Sequence, residues 1–172
     1  PVLVDGRVRQ IGDPVAAVAA TSPEAAARAV ALLRVTYKPL LPVLDPAQAL
    51  VENAPLVHES GNLLSEGAHG WGDVEAGMAE ADLVVEETYT TPWIEQGYLE
   101  PDAVLAYVGD GGVLVVRTST QYSFMLQKAI AENLALPEER VQVLPTVVGG
   151  AFGGKNDATP HCIVALLALK TG

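Results

Sequence analysis

The sequence predicts an α+β fold in two unequal parts. Short aliphatic runs alternate with segments whose apolar residues recur at helical spacing, and stretches rich in glycine and proline separate them. Of the 172 residues 49% are hydrophobic and only 5% are aromatic, so valine, leucine and alanine must fill the core. We expect a first α/β part at residues 1–44, a linker at 45–72 and a second, mixed α/β part at 73–172.

The first part is predicted to form a βαβ-like unit. Pro14–Ala20 is a continuous apolar run, typical of a buried strand. Ser22 is a good helix N-cap, and Pro23 suits the first helical position. The apolar residues of this helix recur on one face, which we expect to pack on a sheet, and the chain then returns as a strand at Val35–Tyr37.

The remaining elements follow from local signals. The linker holds a short helical candidate at Pro46–Glu52 and then repeated proline and glycine. Gly109–Gly112 is a turn signal between two strand-like runs and predicts a hairpin. The predicted elements after the linker are a helix at Asp73–Glu80, strands at Asp82–Thr90, Ala103–Val108 and Val113–Thr118, a helix at Ser123–Asn133, a strand at Val141–Val148 and a helix at Pro160–Leu169.

Charge and composition exclude several classes of partner. The net charge is −11, with only ten Lys and Arg residues, whereas nucleic-acid binding requires basic groups that neutralise phosphates. An anionic membrane surface would repel the chain, and the longest apolar run, Cys162–Leu169, falls well short of the ~20 residues that span a bilayer. We therefore expect no nucleic-acid partner and no membrane association.

The single cysteine, Cys162, excludes an internal disulfide and a multi-thiolate metal site made by this chain alone. It lies in an apolar stretch and is predicted to be a small buried hydrophobe. A reducing compartment, the cytoplasm, is the expected location.

The segment Gly149-Gly150-Ala151-Phe152-Gly153-Gly154-Lys155, called here the glycine loop, is the most informative part of the chain. Glycine adopts positive φ and has no Cβ to keep a ligand away from the backbone. One interpretation is a flexible turn between a strand and a helix. A second is a cradle of backbone N–H groups for an anion. Lys155 is expected either to offset a ligand phosphate or to balance charge within the loop.

A nucleoside triphosphate P-loop is one form of such a cradle. Gly149-x-x-x-x-Gly154-Lys155 fits its pattern up to the last position, where a Ser or Thr hydroxyl should hold magnesium. That position is Asn156, and the loop comes late in the chain, so this interpretation is the weakest.

Taken as a whole, the glycine loop resembles that of the molybdenum hydroxylases, the xanthine dehydrogenase and aldehyde oxidase family, in their molybdopterin-binding large subunit. Five further blocks resemble family motifs in the same order. They are Ile11–Ala19 (IGDPVAAVA), Val35–Leu40 (VTYKPL), Gly72–Glu75 (GDVE) leading to Ala81–Glu86 (ADLVVE), Tyr98–Pro101 (YLEP) and Ser119–Gln121 (STQ).

The resemblance implies roles for particular residues. Gln121 would hydrogen-bond an oxygen ligand of molybdenum, and the backbone amide of Phe152 would approach the metal. Gly150, Gly153 and Gly154 would lie against the pterin and its phosphate. Asn156 would contact substrate; purine-oxidising members have glutamate there, so this chain departs from them. For Glu100 two roles stay open, that of a structural carboxylate and that of a catalytic carboxylate.

The resemblance also implies architecture and activity. Residues 1–44 would end a hammerhead-like α/β domain, and 73–172 would begin the molybdopterin-binding domain. The reaction would be oxidative hydroxylation of an aromatic heterocycle or aldehyde with oxygen derived from water. The cofactor would be molybdopterin, with the cytosine dinucleotide form left open, and the partners would be the rest of the large subunit together with 2Fe-2S and FAD domains or subunits. The catalytic base is expected outside this chain, which alone should be inactive. The alternative is a non-catalytic binding or assembly module.

Overall fold

The computed structural model describes residues 2–172, and its sheet and core are formed by the second half of the chain. Pro1, which the predicted first part includes, lies outside the described residues. The α-helices and strands, in chain order, are α1 (Pro23–Leu32), α2 (Pro46–Ala49), α3 (Val74–Glu80), β1 (Val104–Val108), β2 (Leu114–Thr118), α4 (Ser123–Leu134), β3 (Val141–Pro145) and α5 (Thr159–Thr171).

The three strands form one mixed sheet in the order β1-β2-β3. β1 and β2 pair antiparallel, and the turn at Gly109–Gly112 joins them as predicted. Gly111 and Gly112 both have positive φ, 68° and 75°, which explains why glycine occupies these positions. β2 and β3 pair in parallel, and α4 connects them. This mixed sheet with its helices confirms the predicted fold class.

The core lies between this sheet and two helices. β2 is the central strand, and its Leu114 and Val116 pack against side chains of α4 and α5. α5 contributes small residues, among them Cys162 at 3% exposure and Ala165 at 0%. Such short side chains allow a helix to lie close to a sheet. The burial of Cys162 confirms its predicted role as a small hydrophobe.

The predicted βαβ unit at residues 1–44 is wrong. Pro14–Ala20 and Val35–Tyr37 are not hydrogen-bonded into a sheet within the described residues, and the same holds for the predicted strand Asp82–Thr90. α1 begins after the Ser22 cap as expected, but none of its residues is buried, and Val30 is 53% exposed. An apolar run becomes a strand only where a neighbour offers backbone groups to pair with.

Two other elements are shorter than predicted. The helix expected at Pro46–Glu52 ends at Ala49, and the strand expected at Val141–Val148 ends at Pro145. Beyond Pro145 the backbone leaves the ladder with β2, whose last paired residue is Thr118. The chain is thereby released to form the glycine loop.

By its internal contacts the chain divides into two compact units. One contains the residues up to Thr36 together with Glu95–Gly172, and the other is Tyr37–Ile94. The smaller unit contains α2 and α3, which are capped at their N-termini by Asp45 and Asp73. The domain limits at 44, 72 and 172 stay a prediction. No helix in the described part of the chain is both long enough and apolar enough to cross a membrane.

Candidate functional site

The candidate site lies where the parallel strands β2 and β3 end. Thr118 of β2 is paired with Pro145 of β3, so both strands end at the same edge of the sheet. The Thr146 N–H donates to the Thr118 carbonyl oxygen at 2.9 Å, just beyond that edge. The crevice at the carboxyl ends of parallel strands is the usual ligand site of α/β sheets.

The segment Ser119–Gln121 and the glycine loop meet at this edge. The Thr120 hydroxyl donates to the Lys155 carbonyl oxygen at 3.5 Å, and both residues are buried. The fold therefore places the two segments side by side, although they are far apart in sequence. Gln121 comes three residues after the end of β2.

The backbone of the glycine loop is held in an unusual conformation. Gly150, Phe152 and Gly153 have φ of 95°, 50° and 91°. Positive φ is uncommon for a bulky residue such as phenylalanine. Phe152 is 75% exposed, so packing of its ring in the core does not account for this conformation.

Successive backbone donors of the loop are unpaired. The N–H groups of residues 150–153 donate no hydrogen bond to any other described residue. Unpaired amides in a run with left-handed residues form a concavity that attracts anions. The Gly154 N–H is different, because it donates to the Ala151 carbonyl oxygen at 2.8 Å.

The glycines fall into two groups according to what a side chain would meet. A Cβ at Gly149 would lie 2.6 Å from the Glu100 Cβ, and one at Gly154 would lie 2.6 Å from Cε1 of Tyr98. At Gly153 nothing lies within 4 Å of the Cβ position. The protein's own segment around Tyr98 and Glu100 thus covers one side of the loop, whereas Gly153 faces open space.

Lys155 is turned into the protein. It is only 2% exposed, and its Nζ lies 2.5 Å from Glu100 Oε2 and 5.0 Å from the centre of the Tyr98 ring. Of the two roles left open for Lys155, the structure supports charge balance within the loop. A P-loop lysine must reach the β- and γ-phosphates of a nucleotide, which is inconsistent with this buried pair.

Glu100 is a hydrogen-bonded structural carboxylate. Besides Lys155, its Oε2 accepts the Gly149 N–H at 2.6 Å. The Lys155 ammonium and, next, the Gly149 amide hold the pKa of Glu100 below its ordinary value. Because both partners favour the ionised form, the carboxylate is poorly suited to deliver a proton near neutral pH.

Tyr98 is the third member of the cluster that it forms with Lys155 and Glu100. Its hydroxyl donates to Asp102 Oδ2 at 2.9 Å, and this hydrogen bond raises the pKa of the Tyr98 phenol. The involvement of Tyr98 with the loop was not predicted from the sequence. The sequence did contain a signal for this cluster. The YLEP block supplies an aromatic ring and a carboxylate, and both can pair with the cationic Lys155 that directly follows the glycines.

Gln121 and Asn156 are both exposed on this edge of the sheet. Asn156 ends the 3₁₀ turn Gly154–Asn156 that follows the glycine loop. Neither side-chain amide is hydrogen-bonded to another described residue. Both amides are therefore free to donate and accept hydrogen bonds to a ligand.

His161 lies beneath the site in α5. It is 2% exposed, and its Nε2 lies 3.0 Å from Thr118 Oγ1, while its Nδ1 lies 3.1 Å from the Asp157 carbonyl oxygen. Burial lowers the pKa of the imidazole. His161 thereby ties the start of α5 to the end of β2 as a neutral side chain.

A mixed sheet whose parallel strands lead into a loop of unpaired amides defines an α/β domain of the cofactor-binding class. Residues 57–172 match the molybdopterin cofactor-binding domain family, and the chain belongs to that family. The resemblance to the molybdenum hydroxylases is thereby confirmed.

Individual relatives agree with this assignment. The chain is 39% identical, over its whole length, to 23% of a probable xanthine dehydrogenase subunit from Bacillus subtilis (strain 168). It is 36% identical over 99% of its length to the nicotinate dehydrogenase large molybdopterin subunit of Eubacterium barkeri, of which it covers 40%. The crystal structure of quinoline 2-oxidoreductase from Pseudomonas putida 86 superposes on the whole chain with a TM-score of 0.85 and 28% identity, covering 22% of that chain. The chain thus spans less than half the length of each of these proteins.

Proposed function

We propose that this chain is part of the molybdenum-cofactor-binding subunit of a hydroxylase that oxidises an aromatic heterocycle. The observation that carries the proposal is the run of unpaired amides at residues 150–153. The loop that contains them contacts the Ser119–Gln121 segment through Thr120 and Lys155, at the carboxyl edge of the sheet. When bound, a molybdopterin would supply the oxidative hydroxylation, with oxygen derived from water. The protein's part is to bind, to orient and to provide hydrogen-bond donors.

The residues present fit such a cofactor. The amides of Gly150, Phe152 and Gly153 are free to donate to the phosphate and pterin edge, and Gly153 leaves room for close approach. Gln121 would donate its side-chain amide at the metal end, which the Phe152 amide would also approach. Gly154 would not donate to the cofactor, because its N–H is already bonded to the Ala151 carbonyl oxygen. Its contribution would be a backbone without a side chain, which the cofactor can approach closely.

The choice of an aromatic heterocycle over an aldehyde rests on two points. Two of the proteins most similar to this chain are named for nicotinate and quinoline, both of which are nitrogen-containing aromatic rings. The exposed, uncharged Asn156 amide can donate to a ring nitrogen and accept from a ring N–H. We infer that Asn156 contacts the substrate.

The larger assembly follows the same family pattern. Residues 1–44 would belong to a hammerhead-like domain, 45–72 to a linker and 73–172 to the cofactor domain. The partners would be the rest of the large subunit and the domains or subunits that carry 2Fe-2S and FAD. The complex would be cytoplasmic, and the present chain by itself would be inactive because it holds only part of the pocket.

The test uses the complete protein produced with molybdenum-cofactor synthesis intact. We expect molybdenum and an extractable pterin in near-equal amounts, and hydroxylation of a nitrogen heterocycle with an artificial electron acceptor. Gln121→Ala should lower kcat by about a hundredfold, as expected when one oriented donor is lost at a reacting centre. The matched control is Gln142→Ala, which removes an exposed amide on β3.

Three outcomes are informative. Cofactor with heterocycle turnover supports the proposal, and turnover of aldehydes alone would overturn the substrate class. A complete protein that contains neither molybdenum nor pterin would overturn the enzyme assignment in favour of a non-catalytic module.

A further inference from the structure

One carboxylate holds both ends of the glycine loop. Gly149 precedes the unpaired amides of residues 150–153, and Lys155 follows them. The Gly149 N–H and the Lys155 Nζ bond the same oxygen, Glu100 Oε2, at 2.6 and 2.5 Å. The Glu100 N–H also donates to the Gly149 carbonyl oxygen at 3.3 Å. The span between the two ends of the loop is thus fixed by a single side chain.

We propose that Glu100 is a positioning residue that, clamped between the Gly149 amide and the Lys155 ammonium, holds the unpaired amides of residues 150–153 in one orientation for the anionic cofactor. The proposal rests on the proposed function for the identity of that ligand. The ordering of the loop by Glu100 does not depend on it.

The chemistry of the pair favours a positioning role. The Lys155 side chain is 0% exposed, and that of Glu100 is 37% exposed. A buried ion pair adds little net stability compared with an apolar pair of the same size, but it has directional bonds that define a geometry. A carboxylate is the side chain that can accept from a backbone N–H and from an ammonium at one oxygen while remaining charged.

Tyr98 supports the same arrangement. The ammonium of Lys155 lies over its ring, and Cε1 of that ring lies 2.6 Å from the Cβ position of Gly154. The hydroxyl of Tyr98 is fixed by Asp102. Tyr98 and Glu100 therefore both contact the end of the loop at Lys155.

The physical consequence concerns preorganisation. A loop that is already ordered loses little conformational freedom when a ligand binds, and its donors are oriented before the ligand arrives. If the carboxylate is lost, the amides of residues 150–153 should sample several orientations. Cofactor retention should then fall, although no atom of Glu100 needs to touch the cofactor.

The experiment compares two variants of the complete protein. Glu100→Gln keeps the size of the side chain and its acceptor, but leaves the buried ammonium without a counter-charge. The double variant Glu100→Gln with Lys155→Met removes that unpaired charge, so it should fold even if the single variant does not. The matched control is Glu132→Gln with Lys128→Met, which breaks an exposed ion pair of α4 with N–O separation 3.9 Å.

The first readout is hydrogen exchange at the Gly149 and Gly154 N–H groups, which are hydrogen-bonded to Glu100 and Ala151, measured in cofactor-free protein. We expect exchange at least about tenfold faster in the double variant than in wild type, and no change in the control. The second readout is the half-life of bound molybdopterin, which should shorten by about tenfold or more. Per bound molybdenum, kcat should fall while KM for the substrate changes little.

The results distinguish a failure of the role proposed for Glu100 from a failure of the proposed function. Wild-type exchange and wild-type cofactor retention in the double variant would overturn the role of Glu100. If wild-type protein contains no pterin, the proposed function fails, and faster exchange in the variant still supports Glu100 as the group that orders the loop.

Discussion

At the scale of single residues, His161 shows how burial fixes a protonation state. Its Nδ1 faces the Asp157 carbonyl oxygen, which can only accept, so Nδ1 carries the proton of the neutral ring. Its Nε2 pairs with the hydroxyl of Thr118. Burial holds the pKa of the imidazole below the ordinary value of 6.5.

This lowered pKa predicts a pH-dependent stability. Above the unfolded-state pKa of about 6.5 both states are neutral at this position, and the full stability is present. As the pH falls from there towards the lower folded-state pKa, the unfolded state binds the extra proton and stability is lost. We expect the free energy of urea unfolding to decrease between pH 7.5 and 5.5.

The variant that checks this is His161→Gln, which should flatten the pH dependence in that range. His58→Gln, at an exposed position, is the control and should leave it unchanged. Equal pH slopes for wild type and His161→Gln would contradict the prediction.

The sequence locates part of the site and misses the rest for a physical reason. Glycine at positive φ and an aromatic among glycines are local features, so the position of the loop was predictable from the residues themselves. The pairing of Lys155 with Glu100 joins residues 55 positions apart. Periodicity and local propensity carry no information on such a contact, which exists only after β2 and β3 have aligned.

At the scale of elements, the end of α4 is held in a conformation that its sequence does not favour. Ala135 follows the helix with φ 53° and ψ 43°, and the Leu136 N–H donates to the Ala131 carbonyl oxygen at 2.9 Å. This left-handed position after a helix is usually glycine, because a Cβ there costs about 1–2 kcal/mol.

Ala135→Gly should therefore raise the free energy of unfolding by about 0.5–1 kcal/mol, after the extra chain entropy of glycine is subtracted. The same substitution inside the helix, Ala129→Gly, should lower it by about 1 kcal/mol. Chemical denaturation measures both. A decrease of similar size at the two positions would show that Ala135 is not strained.

The elements predicted correctly share one property. The hairpin of β1 and β2 and the helices α4 and α5 each contain a turn signal, or a helical pattern, within their own residues. The strands expected at Pro14–Ala20 and Asp82–Thr90 depended on a partner strand, which local sequence does not specify. Helix formation is a local property, whereas strand formation is not.

At the scale of the whole molecule, burial is concentrated in one region. All residues that are buried among those described lie between Leu114 and Ala168. Within the unit Tyr37–Ile94 no residue is buried, and many large apolar side chains are exposed. They include Leu41, Leu44, Leu64, Trp71, Leu83, Val85, Tyr89, Trp93 and Ile94. Exposed apolar surface of this extent is typical of a region that contacts another part of an assembly.

This distribution predicts the order of proteolysis of the 172-residue chain. Segments with few buried contacts open at low cost, whereas the sheet with α4 and α5 opens only when the core is lost. We expect subtilisin, which has broad specificity, to cut first between residues 37 and 94 and to leave a resistant product that contains residues 103–171. Mass spectrometry identifies the cuts, and digestion in urea, where cleavage should spread along the chain, is the control. First cuts within β2 or α5 would mean that the region from Leu114 to Ala168 is not the stable core. The glycine loop would then lack the rigid support that the proposed cofactor site requires.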